Sequence, residues 1–273
     1  MRRYTAGTAV LEVGMIVLAV LFCIPILVLI NTALMPTGAM SDPLTPVPEP
    51  TLANFAGAWV RGGLGGAMVN NLVVTVVSVV LIITIASLAA YPLARSTRGW
   101  SRGMLAFFMA GLLVPMLLSM IPLYVTFRDL DLLGNIWALC IIYVGAQLPF
   151  SIFLYTQFIR ALPTDYEEAA LIDGAGPFRS FVQVVFPLLR PITGTVAILN
   201  AVFVWNDFFT PLLYLAGTDQ VTISIALYSF TGIYASEWNT IFAGLIIGSI
   251  PVIAFYLFTQ RHIIKGFSGG LKG

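Results

Sequence analysis

The chain has 273 residues, of which 59% are hydrophobic and 9% charged, with a formal net charge of +1 and a mean hydropathy of +0.96. A soluble domain carries about 25% charged residues, so lipid must be the solvent for much of this chain. That excludes a secreted module, a disordered regulator and an ordinary cytosolic enzyme, and the small net charge provides no field to gather nucleic acid.

A bilayer-spanning helix needs about 20 mostly apolar residues. Six runs qualify: residues 13–34, 71–93, 103–127, 136–159, 193–215 and 240–260. Pro25 lies in the first, Pro115 and Pro122 in the third, Pro149 in the fourth and Pro251 in the sixth. Neighbouring membrane helices re-satisfy carbonyls freed by proline, so these residues predict kinks rather than ends. The expected fold class is an all-α membrane protein with six transmembrane helices. The first run follows Met1, Arg2 and Arg3 and would suit a signal peptide. It is longer than a typical apolar signal core and no clear cleavage site follows, so it reads as an uncleaved span. With the N-terminus inside, the inner segments hold eleven lysines and arginines, and the outer ones only Arg61 and Arg128. Both termini are therefore expected in the cytoplasm, which an even span count allows.

The outer segment 35–70 contains Pro36, Pro43, Pro46, Pro48 and Pro50, so its first part reads as extended. A short amphipathic helix is expected over 51–59. The outer loop 216–239 is long and apolar, with Val221, Ile223, Ile225, Leu227 and Phe230. It reads equally as a cap on the bundle or as a segment that touches the bilayer edge or another protein. Cys23 and Cys140 lie in apolar runs without metal spacing, and the single histidine is His262. No metal site is expected. The division expected is 1–70 for the first span and its external segment, 71–262 for the core, and 263–273 for a cytoplasmic tail.

The most informative segment is the inner loop 160–191. Thr164 followed by Glu167 is a capping-box pattern that starts a helix. Asp165, Glu167 and Glu168 fall in its first turn, where the helix dipole favours negative charge. Ala169 and Ala170 leave a low-profile face that another protein can approach. Gly174 suits the left-handed residue that ends a helix, and Pro177 suits the first turn of the next. Pro187 and Pro191 return the chain to the membrane. Two short helices thus meet at a glycine corner. On the residues alone, the loop could equally be a simple tie between two spans.

This segment resembles the EAA loop of ABC importer permeases. Glu168, Ala169 and Ala170 are followed after three residues by Gly174, and after nine more by Val184, Phe186 and Pro187. The spacing matches fully, with Val184 and Phe186 in place of the usual Ile and Leu. Residues 121–130 (IPLYVTFRDL), 147–153 (QLPFSIF), 173–175 (DGA), 205–207 (WND) and 260–266 (QRHIIKG) are similar to the carbohydrate branch, in particular to the smaller six-span partner of the maltose-type heterodimer. The resemblance runs from about residue 54 to 273. It implies a type I ABC importer transmembrane domain whose EAA loop docks in a groove of a separate ATP-binding cassette ATPase dimer. Glu168, Ala169, Ala170, Asp173, Gly174 and Pro187 would form or shape that docking loop. It also implies a second, non-identical permease subunit, an extracytoplasmic sugar-binding protein, and a prokaryotic plasma membrane as the location. The tail from Lys265 to the end resembles one that approaches the ATPase, although a basic tail beside a membrane also suits a lipid anchor.

No cofactor is expected in this chain. A phosphate loop needs Gly-Lys followed by Ser or Thr. Lys265 follows Ile264 and Lys272 follows Leu271, so ATP and Mg are expected on the partner ATPase, and this chain is not expected to be an enzyme.

Polar residues inside spans complete the candidates. Asp207 is the acidic residue placed within a predicted span, with Asn206 beside it and Asn200 on nearly the same face. Placing a charge there costs about 2.5–3.5 kcal/mol on insertion scales, so it should face protein or water. These residues read either as part of a translocation path or gate, or as an interhelical hydrogen bond. Gln147 with Ser151 is a similar pair. The predicted spans hold no lysine or arginine, which favours an uncharged substrate. An ion-coupled secondary transporter using Asp207 is the alternative. It would leave the inner loop unexplained. An intramembrane enzyme would need a Ser–His or paired-Asp arrangement, and Asp207 has no acidic neighbour in sequence.

Overall fold

A computed structural model describes residues 6–36, 42–231 and 237–269, with side chains up to residue 257. The described residues are helical and contain no strand. The order is α1 (Ala6–Leu34), α2 (Ala53–Arg61), α3 (Leu64–Arg95), α4 (Gly99–Gly111), α5 (Met116–Asp129), α6 (Ile136–Ala161), α7 (Asp165–Ile172) and α8 (Pro177–Ser180). A π-helical turn, Phe181–Val185, leads into α9 (Phe186–Leu188). Then come α10 (Arg190–Asn206), α11 (Phe209–Tyr214), α12 (Ile223–Tyr228) and α13 (Trp238–Gly269).

Among the described residues, four helices are long and apolar enough to cross a membrane: α1 over Gly7–Leu34, α3, α6, and α13 over Trp238–Leu257. Two bent pairs raise the count to six if each is one span: α4 with α5 at 92°, and Pro177–Leu188 with α10 at 75°. The third expected span is therefore broken rather than kinked. Pro115 stands at the N-cap of α5 with an extended backbone, and its ring cannot continue α4. Pro25, Pro92, Pro122, Pro149 and Pro251 sit inside helices, as expected of membrane prolines. The fifth expected span also ends early, at Asn206.

The chain divides into two units, 1–68 with 223–250, and 69–222 with 251–273. In the first, α1 buries none of its most apolar window. Its last carbonyls are satisfied from outside the helix. Asn54, buried on α2, donates from Nδ2 to the oxygens of Ala33 and Met35, both at 2.8 Å. Asn31 organises the proline-rich segment, accepting from Val47 N at 3.1 Å and donating to Pro43 O at 2.8 Å. The expected amphipathic helix is present as α2, two residues later at each end.

The outer loop resolves in favour of packing over its described residues. Ile223, Ala226 and Leu227 of α12 are buried, and a Cβ added at Gly244 would strike Leu227. One added at Gly248 would lie 2.9 Å from Ile223. The two glycines of α13 thus admit the short helix α12. Residues 232–236 of this loop lie outside the described residues.

Arg61 clasps Glu237 with two hydrogen bonds of 2.9 and 2.6 Å and lies over the ring of Phe230 at 5.4 Å. The guanidinium holds the Glu237 carboxyl below its ordinary range. A depressed carboxylate contributes stability above its unfolded pKa and loses it as pH falls through the folded value. Glu237→Gln is therefore expected to lower the thermal midpoint at pH 7 and to match the native chain at strongly acid pH. Both partners are well exposed, so the effect is small.

In the second unit the core is a set of helical stripes. Ile82, Ala86, Ala90 and Leu93 of α3 meet Ile152, Tyr155 and Ile159 of α6. Phe181, Val185 and Leu189 complete it, so the inner loop's second arm is built into the bundle rather than laid over it. Tyr155 Oη bonds Thr193 Oγ1 at 3.0 Å, tying α6 to α10.

Candidate functional site

The loop between α6 and α10 has the two-arm form expected of it. Helix α7 ends through a paired hydrogen-bond closure: Ala175 N donates to Ala170 O at 2.9 Å, and Gly174 N to Leu171 O at 3.0 Å. Gly174 sits at φ +81°, the left-handed region that a side chain disfavours. Pro177 opens α8 at its first helical position.

The capping box is absent. Thr164 takes helical dihedrals and its side chain caps nothing. Glu167 turns inward instead. Its Oε1 accepts from Arg95 Nε at 2.8 Å and lies 2.6 Å from Arg95 Nη2, while Oε2 accepts from Tyr91 Oη at 2.9 Å. A charged donor on α3 outbids a backbone N–H, because charge-assisted bonds are about twice as strong as neutral ones. Sequence reasoning assigned Glu167 to a local role and missed its partner.

Glu168 and Ala169 are exposed, Ala170 is half-buried, and Asp173, Gly174 and Pro187 are exposed. The sequence also left unremarked an apolar patch around them. Tyr166 and Leu171 are exposed, Ile172 is 87% exposed and Phe178 71%. Its signal was present as large apolar residues in a helix of only eight residues.

The polar candidates separate. Asn200 is buried and donates from Nδ2 to Ser151 Oγ at 3.2 Å and to Val196 O at 2.7 Å, linking α10 to α6. Ser151 therefore faces Asn200 rather than Gln147. Gln147 lines a cavity of about 710 Å³ at the α4–α5 bend, with Ser119, Phe127, Pro149 and Phe203. Asn206 is exposed and donates to Val202 O of its own helix at 2.8 Å.

Asp207 lies at the break after α10, not well inside a span. Its Oδ2 accepts from Tyr143 Oη at 2.9 Å and its Oδ1 from Phe209 N at 3.2 Å. Asn71 donates to the nearby Trp205 O at 3.3 Å. Polar side chains thus satisfy backbone that the break exposes. Asp207→Ala is expected to cost about 1–3 kcal/mol, the penalty for leaving the buried Tyr143 hydroxyl unpaired. Asp207→Asn should keep most of the stability. Thermal unfolding in detergent measures both, and equal losses would contradict this account.

The chain matches the family model described as the binding-protein-dependent transport system inner membrane component over residues 82–269. It belongs to that family. It is a multi-pass membrane permease of a binding-protein-dependent transport system. The permease is 33% identical to the melibiose/raffinose/stachyose import permease protein MelC of Bacillus subtilis (strain 168), over 98% of this chain and 99% of the relative. It is 34% identical to the multiple sugar-binding transport system permease protein MsmG of Streptococcus mutans, over 92% of each. A crystal structure of a bacterial ABC transporter that imports the acidic polysaccharide alginate shares the fold. Its TM-score is 0.81 at 21% identity, over 96% of this permease and 99% of that chain. The family works with ATPase and substrate-binding partners in general.

Proposed function

We propose that this permease imports a sugar or related polyol across a prokaryotic plasma membrane, with both termini in the cytoplasm. A separate ATP-binding cassette ATPase dimer supplies the work and holds ATP and Mg. Support for the substrate class comes from the sugars named for the relatives and from the uncharged cavity at Gln147. A second, non-identical permease subunit and an extracytoplasmic sugar-binding protein complete the assembly, within membrane lipid.

The observation that carries the coupling is the exposed face of α7. Tyr166, Leu171 and Ile172 stand exposed beside Glu168 and the low-profile Ala169. Ala170 lies half-buried behind them. Apolar groups on a short loop helix suit a protein groove. Glu168 provides the polar contact, Asp173 and Gly174 set the corner, and Pro187 leads back to the spans. Functionally, 71–262 is the transport core, 1–70 the first span with its external segment, and 263–273 a tail. Of that tail, residues 270–273 lie outside the described residues.

The test is uptake of radiolabelled raffinose into cells carrying the complete importer, with pull-down of the ATPase by the tagged permease. Glu168→Lys combined with Gly174→Pro is expected to abolish both. Intact uptake and association would refute the docking role. An ion-coupled transporter would instead lose uptake when the proton gradient collapses while ATP persists. Asp207, held by Tyr143 and Phe209 at a helix break, gives that reading no added support.

A further inference from the structure

Glu167 and Glu168 are adjacent on one helix, yet the fold sends them to opposite sides. Glu168 is exposed and Glu167 is 9% exposed. Both oxygens of Glu167 are taken by residues one turn apart on α3: Tyr91 on Oε2, and Arg95 on Oε1. Arg95 reaches further. Its Nη2 donates to Leu162 O at 3.2 Å, the residue that caps α6. One guanidinium therefore joins the end of α3, the end of α6 and the helix α7. Arg160 adds a longer bond from the end of α6 to Leu93 O of α3, at 3.5 Å. The Tyr91 ring is also packed 5.2 Å from that of Phe181, on the loop's second arm.

A short helix pushed by a partner moves a span only if the joint between them is stiff. α7 is flanked by Pro163 and Thr164 before it and by the corner 173–176 after it. A backbone corner alone would let the helix pivot. The Glu167 carboxylate closes that freedom with charge-assisted bonds in a site that water screens weakly.

We propose that Glu167 and Arg95, aided by Tyr91, are positioning residues that transmit displacement of α7 to α3 and α6. The proposal rests on α7 being the docking helix. Glu168 makes the contact with the ATPase, and Glu167 makes that contact move the spans.

The experiment uses the complete importer in proteoliposomes. The permease carries Ser119→Cys in the cavity, with Cys23 and Cys140 replaced by serine. The rate of labelling by a membrane-impermeant maleimide is compared with and without ATP and vanadate, beside ATP hydrolysis and recovery of the ATPase subunit. With Glu167 intact, trapping is expected to change the labelling rate. In Glu167→Gln the ATPase is expected to remain bound and to hydrolyse ATP, while the nucleotide-dependent change shrinks by about fivefold or more. A merely structural role would lower binding and hydrolysis as well. An unaltered response to nucleotide in Glu167→Gln overturns the proposal. Glu168→Lys is run in parallel: retained ATPase binding there refutes the docking role, independently of the Glu167 result. If Glu167→Gln does not accumulate, Tyr91→Phe removes one bond and keeps the ion pair. It is expected to show the same separation of hydrolysis from labelling, and a native response overturns the proposal.

Discussion

Arg95→Met is expected to destabilise the permease by about 3 kcal/mol, more than Glu167→Gln does at about 1 kcal/mol. The two changes break the same ion pair, but they leave different things behind. Methionine at 95 leaves a carboxylate with Tyr91 as its remaining donor, in a site where its side chain is 11% exposed. It also leaves Leu162 O without its partner from Arg95. Glutamine at 167 removes the charge but keeps an oxygen that can accept from Arg95, while its NH2 can donate to the Tyr91 hydroxyl. Arg95 is 18% exposed at the end of α3, so water relieves part of the cost and the lower end of the range for buried pairs applies. Thermal unfolding of the purified chain in detergent, followed by loss of the monodisperse peak, gives the order directly. Equal midpoints for the two variants would show that the carboxylate left behind by methionine carries no extra cost, contrary to this account.

Gly174→Pro is expected to cost about 3 kcal/mol locally and to release the ATPase, whereas Gly174→Asn should cost under about 1 kcal/mol and retain it. The reason lies in the backbone alone. No atom lies within 4 Å of a Cβ built at Gly174, so packing offers no objection to a side chain. The objection is φ, which stands at +81° where proline requires about −65°. Proline also deletes the N–H that Gly174 gives to Leu171 O at 3.0 Å. Asparagine tolerates the left-handed region and keeps that donor. Valine, with a branched side chain at the same φ, falls between, at about 1–2 kcal/mol. Co-purification of the ATPase subunit across the three variants checks the ranking. Proline and asparagine behaving alike would mean that the corner does not set the docking geometry.

The spans were legible because hydropathy over about 20 residues needs no knowledge of neighbours, and α1, α3, α6 and α13 fall where composition puts them. Breaks were not legible. Pro115 and Pro122 lie in the same apolar run, yet one stands just before the start of a helix and the other sits within it. Proline in a membrane is ambiguous, since the outcome depends on whether neighbours can satisfy the freed carbonyl. The loop's corner was read correctly at Gly174 and Pro177, because both act through their own dihedrals. Glu167 was misread for the opposite reason. Its local pattern with Thr164 is a valid cap, and only a guanidinium 72 positions earlier in the chain overrides it. Ser151 was paired with Gln147 by helical spacing, while its hydrogen-bond partner is Asn200, 49 positions away. Asp207 was placed in a membrane interior because hydropathy windows average across a helix end. The misread partners of Glu167 and Ser151 both lie on other helices.

The wide turn at Phe181–Val185 makes this loop tolerant of a change in residue count at that one place. It carries one residue more than an ordinary helix would use over the same rise. Deleting a single position there would restore a regular helix over the same rise and leave α9 and α10 facing as they do now. Asn200 would then still meet Ser151, and Val196 would keep its place in the core. A one-residue gap between this permease and a relative, falling inside that stretch, would leave the same face of the fifth span turned inward. A deletion in the regular helix that follows, which has no residue to spare, would instead turn everything beyond it by about 100°.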